Sequence, residues 1–308
     1  MAEKKTIREI AYAWKEDKRQ YVKQSTMAVY LLSLENHILP FFGAFTEITE
    51  ENAQSFALDK LRVGLCQKSV KDIIIVLKMI QRYGEKHSWL AHTDWSIKYP
   101  VEQQKKEISV LTKANQKKIM QYVHSNFTFR NLGIYICLST GLRIGEICAM
   151  RWSDIDISTG MIHVRHTIGR VYFVDSEKPH TELLIDTPKT KNSIRDIPLS
   201  TELQKIIRPL LKVVNLDYYV LTNEPKPTEP RTYRNYFNQL LIQLDIPHLK
   251  FHGLRHSFAT RCIESQCDYK TVSVLLGHAD IGITLNLYVH PNDEQKKSCI
   301  DRMFKSLK

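Results

Sequence analysis

The sequence predicts a mainly α protein with a small antiparallel β-sheet, divided into two domains, residues 1–98 and 111–308, with a polar linker over 99–110. Its 308 residues suit two domains of about 150 residues each. Apolar residues recur at helical spacing along most of the chain, while one stretch in the second half alternates short apolar runs with polar turns. Hydrophobic residues make up 43% and charged residues 25%, which excludes collagen-like, disordered and disulfide-scaffold classes.

The first domain is predicted to consist of short helices. Thr6–Gln20 forms a charged helix with one apolar stripe. Ser25 and Thr26 are the candidate N-caps of a second helix, which is expected to end at Ile38 because Pro40 cannot continue it. Thr49 caps a third helix, whose acidic first turn complements the helix dipole.

A further helix of this domain, from Ser69 towards His87, has an apolar face and a basic face. At about 100° per residue, five cations on it and just before it fall within an arc of about 80°. They are Lys68, Lys71, Lys78, Arg82 and Lys86. Such a face suits contact with phosphates, but taken alone the pattern favours a solvated helix face.

The second domain is predicted to place helices around a small sheet. Thr112 caps its first helix, Phe127–Thr140 forms an apolar helix that Gly141 interrupts, and Arg143–Arg151 continues as helix. The predicted strands are Met161–Val164, Val171–Val174, Glu182–Asp186 and Ser193–Pro198. The later helices are Thr201–Val214, Thr232–Leu244, Leu254–Glu264, Lys270–Leu276 and Asp293–Leu307, and Tyr288 is expected to follow a loop of small residues.

The charge indicates a polyanionic partner. The 44 Lys and Arg against 33 Asp and Glu give a net charge of +11, which would attract phosphates, although a basic protein need not bind nucleic acid. The opening MAEKKTIREI lacks the apolar core of a secretory signal, and no apolar run approaches the roughly 20 residues that span a bilayer. We therefore expect a cytoplasmic protein.

Local motifs for metals, nucleotides and disulfides are missing from the sequence. The six cysteines include no C-x-x-C pair, and Cys262 and Cys267 have no matching pair of histidines. No G-x-G-x-x-G, P-loop, G-x-S-x-G or H-E-x-x-H pattern occurs. We expect no cofactor, no metal and reduced thiols.

Six residues far apart in the sequence are candidates for chemistry on a phosphate. Arg143 and Glu146 are three apart, so the carboxylate can hold the guanidinium, and His252 and Arg255 share one face at a helix start. Guanidinium groups grip phosphate oxygens and stabilise their transition-state charge, and a phenol can attack phosphorus to leave a covalent ester. Taken singly, each residue is more often structural. The six are Arg143, Lys189, His252, Arg255, His278 and Tyr288.

Three segments give these residues a common context. TGLRIGEICAMRWSDID, HGLRHSFATRCIE and LLGHADIGITLNLYVHP closely resemble the tyrosine recombinase (phage integrase) family, in wording and in order. The resemblance spans Leu111 to Pro291, and its wording is closest to integrases of conjugative transposons and phages. It implies a helical core-binding domain followed by an α+β catalytic domain.

The resemblance also implies a role for each matched residue. Tyr288 would attack the scissile phosphate, giving a 3′-phosphotyrosine and a free 5′-hydroxyl. Arg143 and Arg255 would clamp that phosphate. His252 would act as acid and base towards the tyrosine proton, and His278 would hydrogen-bond the phosphate.

The same resemblance implies how the reaction is completed. Lys189 would protonate the leaving 5′-oxygen, and because the ester conserves the bond energy, neither ATP nor a metal is needed. The expected assembly is a homo-tetramer on paired specific sites in double-stranded DNA, associated with the nucleoid when bound. A directionality factor is a conceivable further partner.

Several alternatives stay open at this stage. Xer-type chromosome dimer resolution would use the same residues, a DNA-binding regulator would have lost the chemistry, and a type IB topoisomerase would reseal a single duplex. The stretch 166–182 is interpreted as an inserted β-hairpin that contacts DNA or a neighbour, or has no role. The helix 293–307 docks either on a neighbouring protomer or on its own domain.

Overall fold

The computed structural model describes residues 4–101, 109–173, 180–188, 190–288 and 293–307. The chain forms two compact units. The first contains Met1–Lys105 and Arg170–Glu182, and the second contains Lys106–Gly169 and Leu183–Lys308. Within the described ranges, none of the helices combines the length and apolar character needed to cross a membrane.

The first unit is built from helices whose ends are set by local hydrogen bonds. Thr6 and Glu9 form a reciprocal cap, in which the Thr6 N–H donates to the Glu9 carboxylate over 2.7 Å and the Glu9 N–H donates to Thr6 Oγ1 over 3.3 Å. Thr49 and Asn52 cap a later helix in the same way. The helices are α1 (Ile7–Arg19), α2 (Gln24–Ser33), α3 (Leu39–Phe42), α4 (Glu50–Arg62) and α5 (Gln67–Lys86).

The helix predicted to end at Ile38 continues past Pro40, so that prediction is wrong. Leu34–Ile38 forms a π-helical turn, and the Leu39 N–H donates to the Leu34 carbonyl. Pro40 then lies in the first turn of α3, where its missing N–H costs nothing. A change to the wider π turn therefore lets a proline follow a helix without ending it.

The core of this unit combines the apolar stripe of α1, the apolar face of α5 and a cluster of phenylalanine rings. Phe41, Phe42, Phe45 and Phe56 pack with ring centroids 4.7 to 5.9 Å apart, and Phe42 and Phe56 are completely buried. Because α5 turns its apolar residues into this core, its basic residues are left on the other side of the helix.

The second unit surrounds a small sheet with helices. Its helices are α6 (Lys113–Ser125), α7 (Phe129–Thr140), α8 (Ile144–Ala149), α9 (Thr201–Leu210), α10 (Pro230–Gln243), α11 (His252–Glu264), α12 (Tyr269–Leu276), α13 (Ile281–Tyr288) and α14 (Asp293–Ser306). Its strands are β1 (Ile155–Asp156), β2 (Met161–Val164) and β5 (Arg195–Pro198). Strands β3 (Thr167–Phe173) and β4 (His180–Asp186) each have residues in both units. This arrangement confirms the predicted fold class.

The strands form two separate sheets. The first is antiparallel with order β1-β2-β5, and its register pairs the buried Ile162 with the buried Ile197. Strands β3 and β4 form a two-stranded ribbon, in which Arg170 Nη1 donates to the Thr181 carbonyl over 3.2 Å. The predicted hairpin is therefore present, and residues 174–179 within it lie outside the described part of the chain.

Two elements near the candidate residues differ from the predictions. The helix predicted over Arg143–Arg151 ends at Ala149, because the Met150 carbonyl accepts the Val220 N–H over 2.9 Å and the chain becomes extended there. The segment before Tyr288 is not a loop but helix α13, which ends at Tyr288. The Asp280 carboxylate accepts the Gly282 N–H at its start over 2.9 Å, so an acidic side chain initiates this helix.

Candidate active site

Three arginine side chains meet at the carboxyl end of α12. The last carbonyl groups of a helix have no partner within the helix, and they form the negative end of its dipole. Arg195 Nε donates to the Leu275 carbonyl over 2.7 Å, Arg255 Nη2 to the Leu276 carbonyl over 2.6 Å, and Arg143 Nη2 to the Gly277 carbonyl over 3.1 Å. Three consecutive carbonyls thus gather guanidinium groups from β5, α11 and the residue that caps α8.

Glu146 connects two of these arginines. Its carboxylate accepts from Arg143 Nη1 over 2.7 Å and from Arg195 Nη1 and Nη2 over 3.0 and 2.9 Å. Burial would raise the pKa of Glu146, but the hydrogen bond and charge of Arg195, with the charge of Arg143, outweigh it and hold that pKa below its usual value. The carboxylate is therefore ionised, and its one negative charge is shared by two cations.

Glycine bends bring the accepting carbonyls close to these side chains. Arg255, only 1% exposed, also donates from Nη1 to the Gly141 carbonyl over 2.9 Å. Gly141 ends α7 with a φ of +67°, and a Cβ there would lie 2.6 Å from a ring carbon of Phe258. Gly277 ends α12 with a φ of +66°, and a Cβ there would lie 2.7 Å from the Asn192 carbonyl oxygen. Both positions need glycine, because the backbone is left-handed and space is lacking.

The two candidate histidines are neutral at neutral pH. Desolvation by packed surroundings lowers the pKa of His252 to about 4, and the charges of His256 and the nearby guanidinium groups add to it. Burial and then the charges of Arg255 and Arg143 lower the pKa of His278 to about 4. The His278 ring is oriented by a 2.8 Å hydrogen bond between Nδ1 and Thr284 Oγ1. A neutral imidazole beside two cations can accept a proton or contact an anion.

The structure brings Arg143, Arg255, His252 and His278 into one cluster. Lys189 lies outside the described residues. Tyr288 is the last residue of helix α13, and its side chain lies outside the described part of the structure. Among the described residues, no group of His, Cys, Asp and Glu has a geometry suited to a metal ion.

Sequence reasoning missed Arg195 and Asn192. Arg195 is 7% exposed and lies at an inward position of β5, and Asn192 Nδ2 donates to the His278 carbonyl over 3.2 Å. The signal for Arg195 is present in IRDIPL, where the alternation of inward positions places an arginine in the core. Asn192 carries no comparable signal, because it lies in a short turn.

The basic face of α5 belongs to the first unit. Lys68, Lys71, Arg82 and Lys86 are exposed, whereas Lys78 is half-buried with Nζ 5.1 Å from the centre of a tryptophan ring. Lys68 Nζ lies 3.4 Å from a carboxylate oxygen of the same helix. Ile75, 54% exposed, lies on the same face, which therefore combines cations with one apolar side chain.

Two protein-family models match this chain. Residues 109–295 match the model of the phage integrase family, and residues 6–63 match the SAM-like N-terminal domain of phage integrases. The chain belongs to the phage integrase family.

Curated relatives are named as recombinases, transposases and integrases. A XerC-like tyrosine recombinase of Caldanaerobacter subterraneus is 27% identical over 78% of this chain and 66% of its own length. The transposase of transposon Tn916 from Enterococcus faecalis is 26% identical over 69% of this chain and 55% of its own length. The ICEBs1 integrase of Bacillus subtilis is 23% identical over 88% of this chain and 75% of its own length. The chain thus spans between about half and three quarters of these relatives.

Solved structures share the fold. The Tn1549 transposon integrase, in complex with a circular intermediate DNA, superposes with a TM-score of 0.76 at 22% identity, over 97% of this chain and 99% of that one. A lambda integrase tetramer bound to a Holliday junction gives a TM-score of 0.66 at 18% identity, over 95% and 80%. Both likenesses show the same fold in a DNA complex of another protein.

Proposed function

We propose that this chain is a site-specific DNA recombinase that cuts and rejoins double-stranded DNA through a 3′-phosphotyrosine intermediate. The observation that carries the proposal is the cluster at the carboxyl end of α12, where two arginines lie close to two neutral histidines. A cationic, partly desolvated site of this kind suits a phosphate whose negative charge grows in the transition state.

In the proposed reaction Tyr288 attacks the scissile phosphate, and Arg143 and Arg255 bind its non-bridging oxygens. His252, neutral beforehand, receives the tyrosine proton, and His278 hydrogen-bonds the phosphate. The ester with Tyr288 keeps the energy of the broken bond, so that the free 5′-hydroxyl can attack it and rejoin the strands.

Lys189 is the proposed acid for the leaving 5′-oxygen. In the proposed complex its ammonium would approach the guanidinium groups that bind the phosphate, and their charges would favour release of its proton to the leaving oxygen. Its neighbour Lys191, which is exposed, is the alternative donor in the same turn.

The basic face of α5 is proposed to bind the DNA backbone. Its exposed cations would contact phosphates and its half-buried Lys78 would add a further contact. Binding of this kind positions the duplex without reading its sequence. We propose a cytoplasmic protein that is associated with the nucleoid when bound.

The proposed assembly is a homo-tetramer on two paired sites. Helix α14 favours it, because Ile300, Met303 and Phe304 on this helix are 55%, 47% and 59% exposed. Contact with a neighbouring protomer would cover these side chains. A directionality factor is proposed as a further partner that selects between integration and excision.

Mobilisation of a phage or conjugative element is the favoured biological setting. The Tn916 transposase and the ICEBs1 integrase among the relatives support it. The XerC-like relative favours a second candidate, chromosome dimer resolution by the same chemistry.

A plasmid assay tests the proposed recombinase activity. DNA sites are first selected from a random-sequence duplex library by covalent capture on the protein. Supercoiled plasmids with two selected sites, one or none are then incubated with it in EDTA without ATP. Recombination products only from the two-site plasmid are expected. Relaxation of the plasmid without sites would instead indicate a topoisomerase, and a protein that binds the library duplexes but captures none of them covalently would indicate a regulator.

A further inference from the structure

Arg195 is the most extensively bonded of the three arginines at the carboxyl end of α12. Its Nε donates to the Leu275 carbonyl, its Nη1 to the Ser193 carbonyl over 3.0 Å, and both Nη atoms to the carboxylate of Glu146. Its side chain is 4% exposed and that of Glu146 is 2% exposed. A buried ion pair of this completeness is costly to assemble, and removing one partner leaves an uncompensated charge.

We propose that Arg195 is a positioning residue for strand cleavage, which acts by holding Glu146 and, through Glu146, the phosphate-binding guanidinium of Arg143. This inference rests on the proposed function. Arg195 uses both Nη atoms on the two oxygens of Glu146, so the plane of the carboxylate is fixed by the arginine fork. Oxygen Oε1 of that carboxylate also accepts from Arg143 Nη1, and Oε2 accepts from the Arg143 N–H over 2.9 Å.

The two arginines that hold Glu146 differ in exposure. The Arg143 side chain is 33% exposed, whereas the Arg195 side chain is almost completely covered. Arg195 therefore holds Glu146 from the buried side, while the guanidinium of Arg143 on the other side of Glu146 is open to solvent. The Leu275 contact ties Arg195 to the helix end that also accepts from Arg143, so two routes lead from Arg195 to the same guanidinium.

A lysine cannot replace Arg195 in this role. An ammonium keeps the positive charge but lacks the planar fork, so it cannot hold both oxygens of Glu146 and the Leu275 carbonyl together. Arg195→Lys should therefore leave Glu146 ionised and loosely held. We expect DNA affinity within about twofold of the wild type, and a cleavage rate constant at least tenfold lower.

The experiment compares cleavage of two substrates by wild type, Arg195→Lys and the matched control Arg261→Lys. Arg261 is also largely covered and donates to a main-chain carbonyl, that of Leu111, but it pairs with Glu264 instead of Glu146. One substrate is a captured site with a normal scissile phosphodiester, and the other carries a methylphosphonate there. Single-turnover rate constants are measured at saturating protein, with DNA affinity and the thermal midpoint of unfolding alongside.

A methylphosphonate is uncharged and depends less on a well-placed guanidinium. If Arg195 acts through Arg143, the defect of Arg195→Lys should shrink at least threefold on the methylphosphonate, and Arg261→Lys should cleave both substrates like the wild type. A defect of equal size on both substrates, or no defect, overturns the proposal. The double variant Arg195→Gln/Glu146→Gln, which removes both charges of the buried pair, is measured in parallel, so that a variant without an uncompensated charge reports if the lysine variant is unstable.

Failure of the proposed function would be recognised separately. If the wild-type chain captures no DNA covalently from the random-sequence library, the recombinase proposal itself is contradicted before any variant is compared. If the wild type cleaves and Arg195→Lys cleaves equally fast, only the positioning role is lost.

Discussion

At the scale of single residues, the positions of Arg143 and Arg255 are set by main-chain carbonyls before any substrate is present. Each donates to the carboxyl end of α12, and Arg255 also donates to the end of α7. Because the guanidinium groups are already in place, they need not reorient when charge develops on the phosphate. This preorganisation supplies most of the effect of such groups on the reaction rate.

The proposed clamp predicts a separation of cleavage from binding. Arg143→Ala or Arg255→Ala should lower the cleavage rate at least about 10²-fold, since a partner of the transition-state charge is lost. DNA affinity should fall far less, because many other phosphate contacts remain. Gel-shift and cleavage measurements on the same duplex test this, with the exposed Arg208→Ala as control. Equal losses of affinity and rate would mean that these arginines only bind.

The assignment of the general acid predicts rescue by sulfur. The Lys189→Ala variant should fail to cleave a normal phosphodiester. It should cleave nearly normally a substrate in which sulfur replaces the leaving 5′-oxygen, because a thiolate departs without a proton. Lys191→Ala is the matched control. Rescue by sulfur in Lys191→Ala but not in Lys189→Ala would move the acid two residues along the turn.

The histidine environment predicts a pH dependence of folding. The pKa of His278 is about 4 in the folded chain, against an unfolded value of about 6.5, so the unfolded chain binds more protons between these pH values. Stability of the DNA-free protein should therefore fall as the pH drops from about 6.5 towards 4. His278→Gln should show a smaller difference between denaturation midpoints at pH 7 and pH 5. An undiminished difference would contradict the burial of a neutral His278.

At the scale of elements, α5 is the proposed link between the first unit and DNA. Replacing Lys71, Lys78, Arg82 and Lys86 by glutamine, one at a time, should each reduce the slope of log affinity against log salt by about one unit. Arg62→Gln is a control in the same unit, because Arg62 is exposed and pairs with Asp59 at 2.9 Å. An unchanged slope in the fourfold variant would return this face to a solvated helix surface.

Elements were predictable where periodicity and caps agree. The apolar stripe of α1 and the cap at Thr49 lie where the sequence indicates, because those signals are local. The predicted helix end before Pro40 and the predicted loop before Tyr288 are wrong, because no local signal decides the structure at these places. A π turn depends on how the helix packs, and α13 has a short, glycine-containing sequence that resembles a loop.

The sequence predicts those residues of the candidate site that lie in local motifs. Arg143, Arg255, His252 and His278 were found through their motifs, and the Arg143–Glu146 spacing was informative because it is a helical one. Arg195 lies 49 residues from Glu146 along the chain, so the contact between them depends on tertiary structure. No local pattern records such a pair.

At the scale of the whole molecule, we propose that the first unit binds the DNA backbone and that the second unit cleaves it. The positive charge of the chain, +11 overall, suits a protein that touches one polyanion with both units. The two family models match separate parts of the chain, residues 6–63 and residues 109–295.

The most direct test of the central claim is covalent capture of DNA by Tyr288. Wild type, Tyr288→Phe and the control Tyr269→Phe, which changes a 40% exposed tyrosine of α12, are incubated with a nicked suicide duplex and separated on a denaturing gel. Wild type and Tyr269→Phe should give a protein joined to the 3′ end of the cut strand, and Tyr288→Phe should bind the duplex without any adduct. An adduct that persists in Tyr288→Phe would place the nucleophile elsewhere and contradict the account.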